Sequence, residues 1–80
     1  MNYLEYQNYF FIGIGGIGMS ALAKYLHYNK KNISGHDKVQ TNLTKKLVNS
    51  GIRVSYNLKE SIIDSIGYYP VKIDFEIQVK

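Results

Sequence analysis

Four glycines fall within six positions in the stretch FFIGIGGIGMSAL, Phe10 to Leu22, directly after an apolar run and directly before a helix-like pattern. Few arrangements satisfy that order. A continuous apolar run from Tyr9 to Ile14 suits a strand covered on both faces, as in a parallel sheet. From Ile17 onward, apolar residues at Ile17, Ala21 and Tyr25 and at Leu22 and Leu26 follow the three-to-four spacing of a helix reaching about Tyr28. The glycines therefore stand where a strand turns into a helix. Gly13, Gly15 and Gly18 have the spacing G-x-G-x-x-G, with Gly16 between them. In this pattern Gly13 permits the tight turn, Gly15 lets the main chain approach a diphosphate, and Gly18 lets the helix pack on the strand. Bare amides at a helix start, with the positive end of the helix dipole, suit phosphate oxygens.

The rest of the chain repeats the alternation. NISGHD reads as a second strand that exits at Asp37. Leu43, Leu47 and Val48 mark a second helix, with Thr41 or Asn42 as its N-cap and Asn49-Ser50-Gly51 as its end. GIRVSY is a third strand, and NLKESIIDSIG a short helix through Ile62, Ile63 and Ile66, with Gly67 past its end and Pro70 closing it off. Strand, helix, strand, helix, strand is the order of right-handed crossovers building a parallel sheet. The expectation is an α/β fold in one domain over residues 1–80: a Rossmann-like parallel sheet with flanking helices, three parallel strands and a possible edge strand. The terminal VKIDFEIQVK alternates strictly, which suits a strand with one wet face, at an edge or in an antiparallel pair, and not the next buried parallel strand. Such an edge leaves dimerisation open.

Composition narrows the function classes. The chain has no cysteine, which removes disulfides, thiolate nucleophiles and cysteine zinc sites, and is compatible with a reducing cytoplasm. No apolar run approaches the ~20 residues that span a bilayer, and the N-terminus lacks the pattern of a secretion signal. The expected location is cytoplasmic, with no membrane partner. The net charge is +4, but the lysines scatter as Lys30-Lys31, Lys45-Lys46 and isolated positions, so no nucleic-acid partner is expected. Neither a G-x-x-x-x-G-K-[ST] loop nor a metal-binding motif occurs, and no catalytic residue is identified.

Nineteen positions after Gly18 stands Asp37, placed to accept hydrogen bonds from a ribose hydroxyl or a base N–H. Its competing role is to cap the second helix. His36 lies beside it, near any ligand there. His27 falls near the end of the first helix, where the dipole favours it. Ser20, in the first helical turn, has no base placed to make it a nucleophile, although its hydroxyl or amide suits a phosphate.

The string GIGGIGMSALA resembles the opening of the bacterial muramyl ligases, and ISGHD and LTKKLVNSGIRV resemble that family's second strand, second helix and third strand. The resemblance spans Tyr9 to Tyr56 and lies nearest the branch that joins L-alanine to UDP-N-acetylmuramate. It implies an N-terminal Rossmann-like domain that holds the UDP portion of UDP-N-acetylmuramate. Gly13, Gly15, Gly16, Ile17 and Gly18 would line the diphosphate, Met19 and Ser20 would complete the loop, and Asp37 would contact the uridine. ATP and Mg serve the whole-length family through further domains, so this chain alone is expected to be inactive. After Tyr56, YYPVKIDFEIQVK departs from the family's apolar fourth strand and Ser/Thr-rich turn, which leaves three readings open: a gene that has drifted or decayed, a reading that ends in unrelated coding sequence, or a truncated chain. Two other classes compete: an NAD-binding oxidoreductase domain, which the same loop and acid would suit, and a small α/β module for protein contact.

Overall fold

A computed structural model describes residues 5–71. The elements alternate along the chain: β1 (Asn8–Ile12), α1 (Ile17–Tyr28), β2 (Asn32–His36), α2 (Asn42–Asn49), β3 (Arg53–Ser55), α3 (Leu58–Asp64) and β4 (Tyr69–Val71). The four strands form one parallel sheet in the order β3-β2-β1-β4. The chain steps outward from β1 to β3, then crosses back to lay β4 against the other side of β1. That reversal places α1 and α2 on one face and α3 on the other, and it makes the gap between β1 and β4 a topological switch point, where open α/β sheets bind ligands beyond the strand C-termini.

Strand alternation divides the side chains between the faces. Tyr9 and Phe11 of β1, Ile33 of β2 and Val71 of β4 join Ile14, Met19, Ala23, Leu26, Leu47 and Ile52 in one core beneath α1 and α2. The helical stripe is Met19, Ala23 and Leu26, at i, i+4 and i+7. The expected stripe through Ile17, Ala21 and Tyr25 lies outside: Ile17 is 83% exposed and Tyr25 54%. Ile17 is the first helical residue and projects before the helix reaches the sheet, whereas Tyr25 keeps its polar tip in water. Gly35 permits the tight join of β2 to this layer, because a Cβ there would sit 2.5 Å from Ile14 Cδ1 and 2.9 Å from the Phe11 carbonyl oxygen.

Local signals set the helix ends. Thr41 caps α2: its side chain accepts from the Thr44 amide at 3.2 Å, while Thr44 Oγ1 accepts from the Thr41 amide at 2.8 Å. Asn57 caps α3 through the Glu60 amide. At the end of α1, His27 Nε2 donates to the Ser50 carbonyl at 2.8 Å and ties the C-terminal ends of α1 and α2 together.

Two expectations are corrected on the far side of the sheet. In α3 the buried residue is Ser61, while Ile62 and Ile63, and Ile66 just past the helix end, are exposed, because Ser61 is the side chain that faces β2 and β3. The segment at Pro70 does form the next parallel strand: Tyr69 pairs with Tyr9, Pro70 with Phe10 and Val71 with Phe11, and Val71 is buried. Proline is admissible because β4 is the outer strand of the described sheet and its missing N–H costs no ladder bond on that side. Tyr69 is also held by stacking on Tyr6, with centroids 4.1 Å apart, and edge-on against Tyr9. The alternating residues from Lys72 onward lie outside the described residues.

Candidate functional site: the glycine loop at the switch point

Gly13 opens the loop with φ +77, the left-handed conformation that glycine adopts without strain, so its expected turning role is met. The amides of Gly13 and Ile14 both donate to the His36 carbonyl, at 2.8 and 3.0 Å, which anchors the loop to the end of β2. Gly16 donates back to the Gly13 carbonyl at 3.1 Å and serves as the N-cap of α1. Gly15 donates to Asp37 Oδ2 at 2.7 Å.

This partition decides which groups remain open. The Ser20 amide bonds the Gly16 carbonyl, and its hydroxyl donates to the Ile17 carbonyl at 3.0 Å, so Ser20 is turned into its own helix and buried. Met19 sends its side chain into the core. Among the described residues, the amides of Ile17, Gly18 and Met19 have no acceptor, no side chain caps the helix, and no acid occupies its first turn. Gly16, Ile17 and Gly18 are exposed, and together they offer three parallel N–H groups at the positive end of a twelve-residue helix. Gly18 faces solvent at this end, so the expected helix-on-strand role does not fall to it.

Gly15 has a second, internal reason to be glycine. A Cβ there would lie 2.6 Å from Asp37 Oδ2 and 2.8 Å from Thr44 Cγ2. The methyl of Thr44, fully buried at the start of α2, thus packs under the loop, and Tyr56 holds Thr44 by donating its hydroxyl to Oγ1 at 2.8 Å. Sequence reading missed Thr44 and Tyr56; the Thr41/Thr44 spacing was the available signal, since a capping box fixes the first turn of α2. Asp37 does not cap α2, a position taken by Thr41. Its half-buried carboxylate instead holds the loop through Oδ2 and accepts its neighbour's amide, from Lys38, on Oδ1 at 2.7 Å.

On the other side of the sheet, His36 Nδ1 hydrogen-bonds Ser61 Oγ at 2.6 Å, and Ser61 Oγ in turn hydrogen-bonds Ser55 Oγ. His36 and Ser61 border a cavity of about 250 Å³ whose remaining walls include Phe10, Ile12, Leu58, Ile62 and Pro70. Ile12 and His36 are the last residues of their strands, so this cavity opens at the same edge of the sheet as the glycine loop. The described residues contain no cluster of three or more His, Asp or Glu able to hold a metal ion, and no helix long and apolar enough to cross a membrane.

A family model described as "Mur ligase family, catalytic domain" matches residues 8–77, nearly the whole chain and all of the loop described above. The chain belongs to the Mur ligase family. Among curated relatives, the UDP-N-acetylmuramate–L-alanine ligase of Flavobacterium johnsoniae is 48% identical over 69 residues, 86% of this chain and 15% of that protein. The enzyme of the same name from Flavobacterium psychrophilum is 52% identical over 56 residues, 70% of this chain and 12% of the relative. The one from Campylobacter jejuni is 51% identical over 49 residues. The chain thus spans about one seventh or less of the relatives' length, in each case a small part of a longer enzyme. No solved structure matches.

Proposed function

We propose that this chain is the substrate-nucleotide-binding part of a UDP-N-acetylmuramate–L-alanine ligase, an enzyme of peptidoglycan-precursor synthesis in the cytoplasm, and that it holds the UDP moiety of UDP-N-acetylmuramate. One observation carries the reading: three helix-start amides, of Ile17, Gly18 and Met19, stand without acceptors among the described residues at the switch point of a parallel sheet, in a chain of the Mur ligase family. Diphosphate oxygens are acceptors of the right charge and spacing for such a group. Gly13, Gly15 and Gly16 spend their own amides on shaping the loop, so in this proposal they position the cradle. Asp37 lies at the exit of β2, where a ribose hydroxyl would reach the lone pairs that Gly15 and Lys38 leave free.

The proposal gives this span a binding role only. ATP and magnesium are assigned to the parts of longer members that lie beyond it, and by itself the span forms no peptide bond. Calorimetric titration with UDP-N-acetylmuramate and with NADH tests the reading, with amide chemical shifts recorded in parallel. The expected result is tighter binding of UDP-N-acetylmuramate, with the largest shifts at Ile17, Gly18 and Met19. Tighter binding of NADH, or shifts confined to other surfaces, would overturn it.

A further inference from the structure

Asp37 presents a puzzle of charge. Its carboxylate takes the Gly15 amide, a group that an anion on this loop would otherwise use, and it is fixed on both oxygens, by Gly15 and by Lys38. Among the described residues the ion pair joins Arg53 to Asp64, so no cation is paired with Asp37. The buried Thr44 methyl, braced by Tyr56, stands against the loop beside it, and glycine at position 15 lets the carboxylate lie directly on the main chain. An uncompensated negative charge is therefore held two residues before the three open amides. Any anion approaching them meets attraction from the helix start and repulsion from Asp37, in a half-buried setting where screening is weaker than in bulk water.

A ligand that carries hydroxyl donors next to its diphosphate can offset that repulsion by bonding Asp37. A bare inorganic anion cannot. We propose that Asp37 is a specificity-determining gate, whose pinned carboxylate turns inorganic phosphate and pyrophosphate away from the α1 N-terminus while admitting diphosphates that bring their own donors. The inference rests on the nucleotide reading of the cradle and adds to it a selection against free anions that are abundant wherever nucleotides are consumed.

Asp37→Asn tests it, because the amide keeps the shape and an oxygen for the Gly15 N–H but discards the charge. The probes are inorganic pyrophosphate and UDP, titrated into the parent protein and the variant at low and at raised salt. The expected result is a parent protein that binds UDP well ahead of pyrophosphate, and a variant that binds pyrophosphate roughly tenfold tighter with little gain for UDP. The gain should shrink as salt is added, which a mere disturbance of the loop would not produce. Asp37→Glu, which restores the charge, should restore the preference for UDP. If Asp37→Asn loses its helical signal, Asp37→Ser removes the charge by another route and is judged by the same criterion. A parent protein that binds UDP, with variants whose pyrophosphate affinity is unchanged, would overturn the gate and leave the cradle standing. A parent protein that binds neither probe would remove both.

Discussion

The two faces of the sheet are built on different principles. Beneath α1 and α2, ten buried apolar residues among those described, from five elements and the connecting loops, form one cluster. Beneath α3, the sheet presents Ser34, His36 and Ser55 alongside Phe10, and a seven-residue helix covers them with one serine while it turns isoleucines outward. Ser34 Oγ is buried there with no hydrogen-bond partner among the described residues. The first face derives its stability from burial, which is additive in area and tolerant of composition. The second depends on a short polar chain, His36–Ser61–Ser55, whose worth lies in keeping buried groups satisfied. Stability and specificity of contact are thus separated by a single layer of strands.

The contrast can be broken at several points. Leu26→Ala, in the packed layer, should cost about 2–5 kcal/mol, enough to unfold much of a domain this small, as read by urea denaturation followed by circular dichroism. A loss below about 1 kcal/mol would mean that the two faces are equally loose. Ser61→Ala, on the thin face, should cost about 1–3 kcal/mol, since Ser55 and His36 lose a shared partner. The same denaturation experiment checks it, and the ring nitrogens of His36 should change their NMR shifts. Ile66→Ser should change stability by less than about 0.5 kcal/mol, because the side chain is 75% exposed, and it should lower the tendency to self-associate in light scattering. A large loss there would show that the face is more tightly covered than its exposure indicates.

The order of elements was legible because each boundary carries a local cause. Gly13 has to take a positive φ, Thr41 has a cap partner at Thr44, and the run Tyr9 to Phe11 is apolar enough for burial on both sides. What periodicity could not give was the direction of a face. Ile17 and Tyr25 fit a helical stripe as well as Met19, Ala23 and Leu26 do, and only the approach of the sheet selects between them. The same holds in α3, where Ile62 and Ile63 outweigh one serine on any hydropathy scale, yet the serine meets the sheet. Pro70 reads from sequence only as the close of the preceding helix; that it also sits in a strand follows from the outer position of β4, where a missing N–H is tolerated. At the loop, the glycines were visible as a group, but their division of labour was not. Which amides are spent and which stay open follows from Asp37 and from the His36 carbonyl, both more than twenty positions from their partners.

His36 shows what that separation of layers entails. Its carbonyl takes the amides of Gly13 and Ile14, while its imidazole is fastened to Ser61 on the opposite helix. One residue is therefore clasped from above and below, like a rivet through the sheet. A shift of the bend after β1 pulls on the same residue whose side chain seats α3, so neither side can loosen without loading the other.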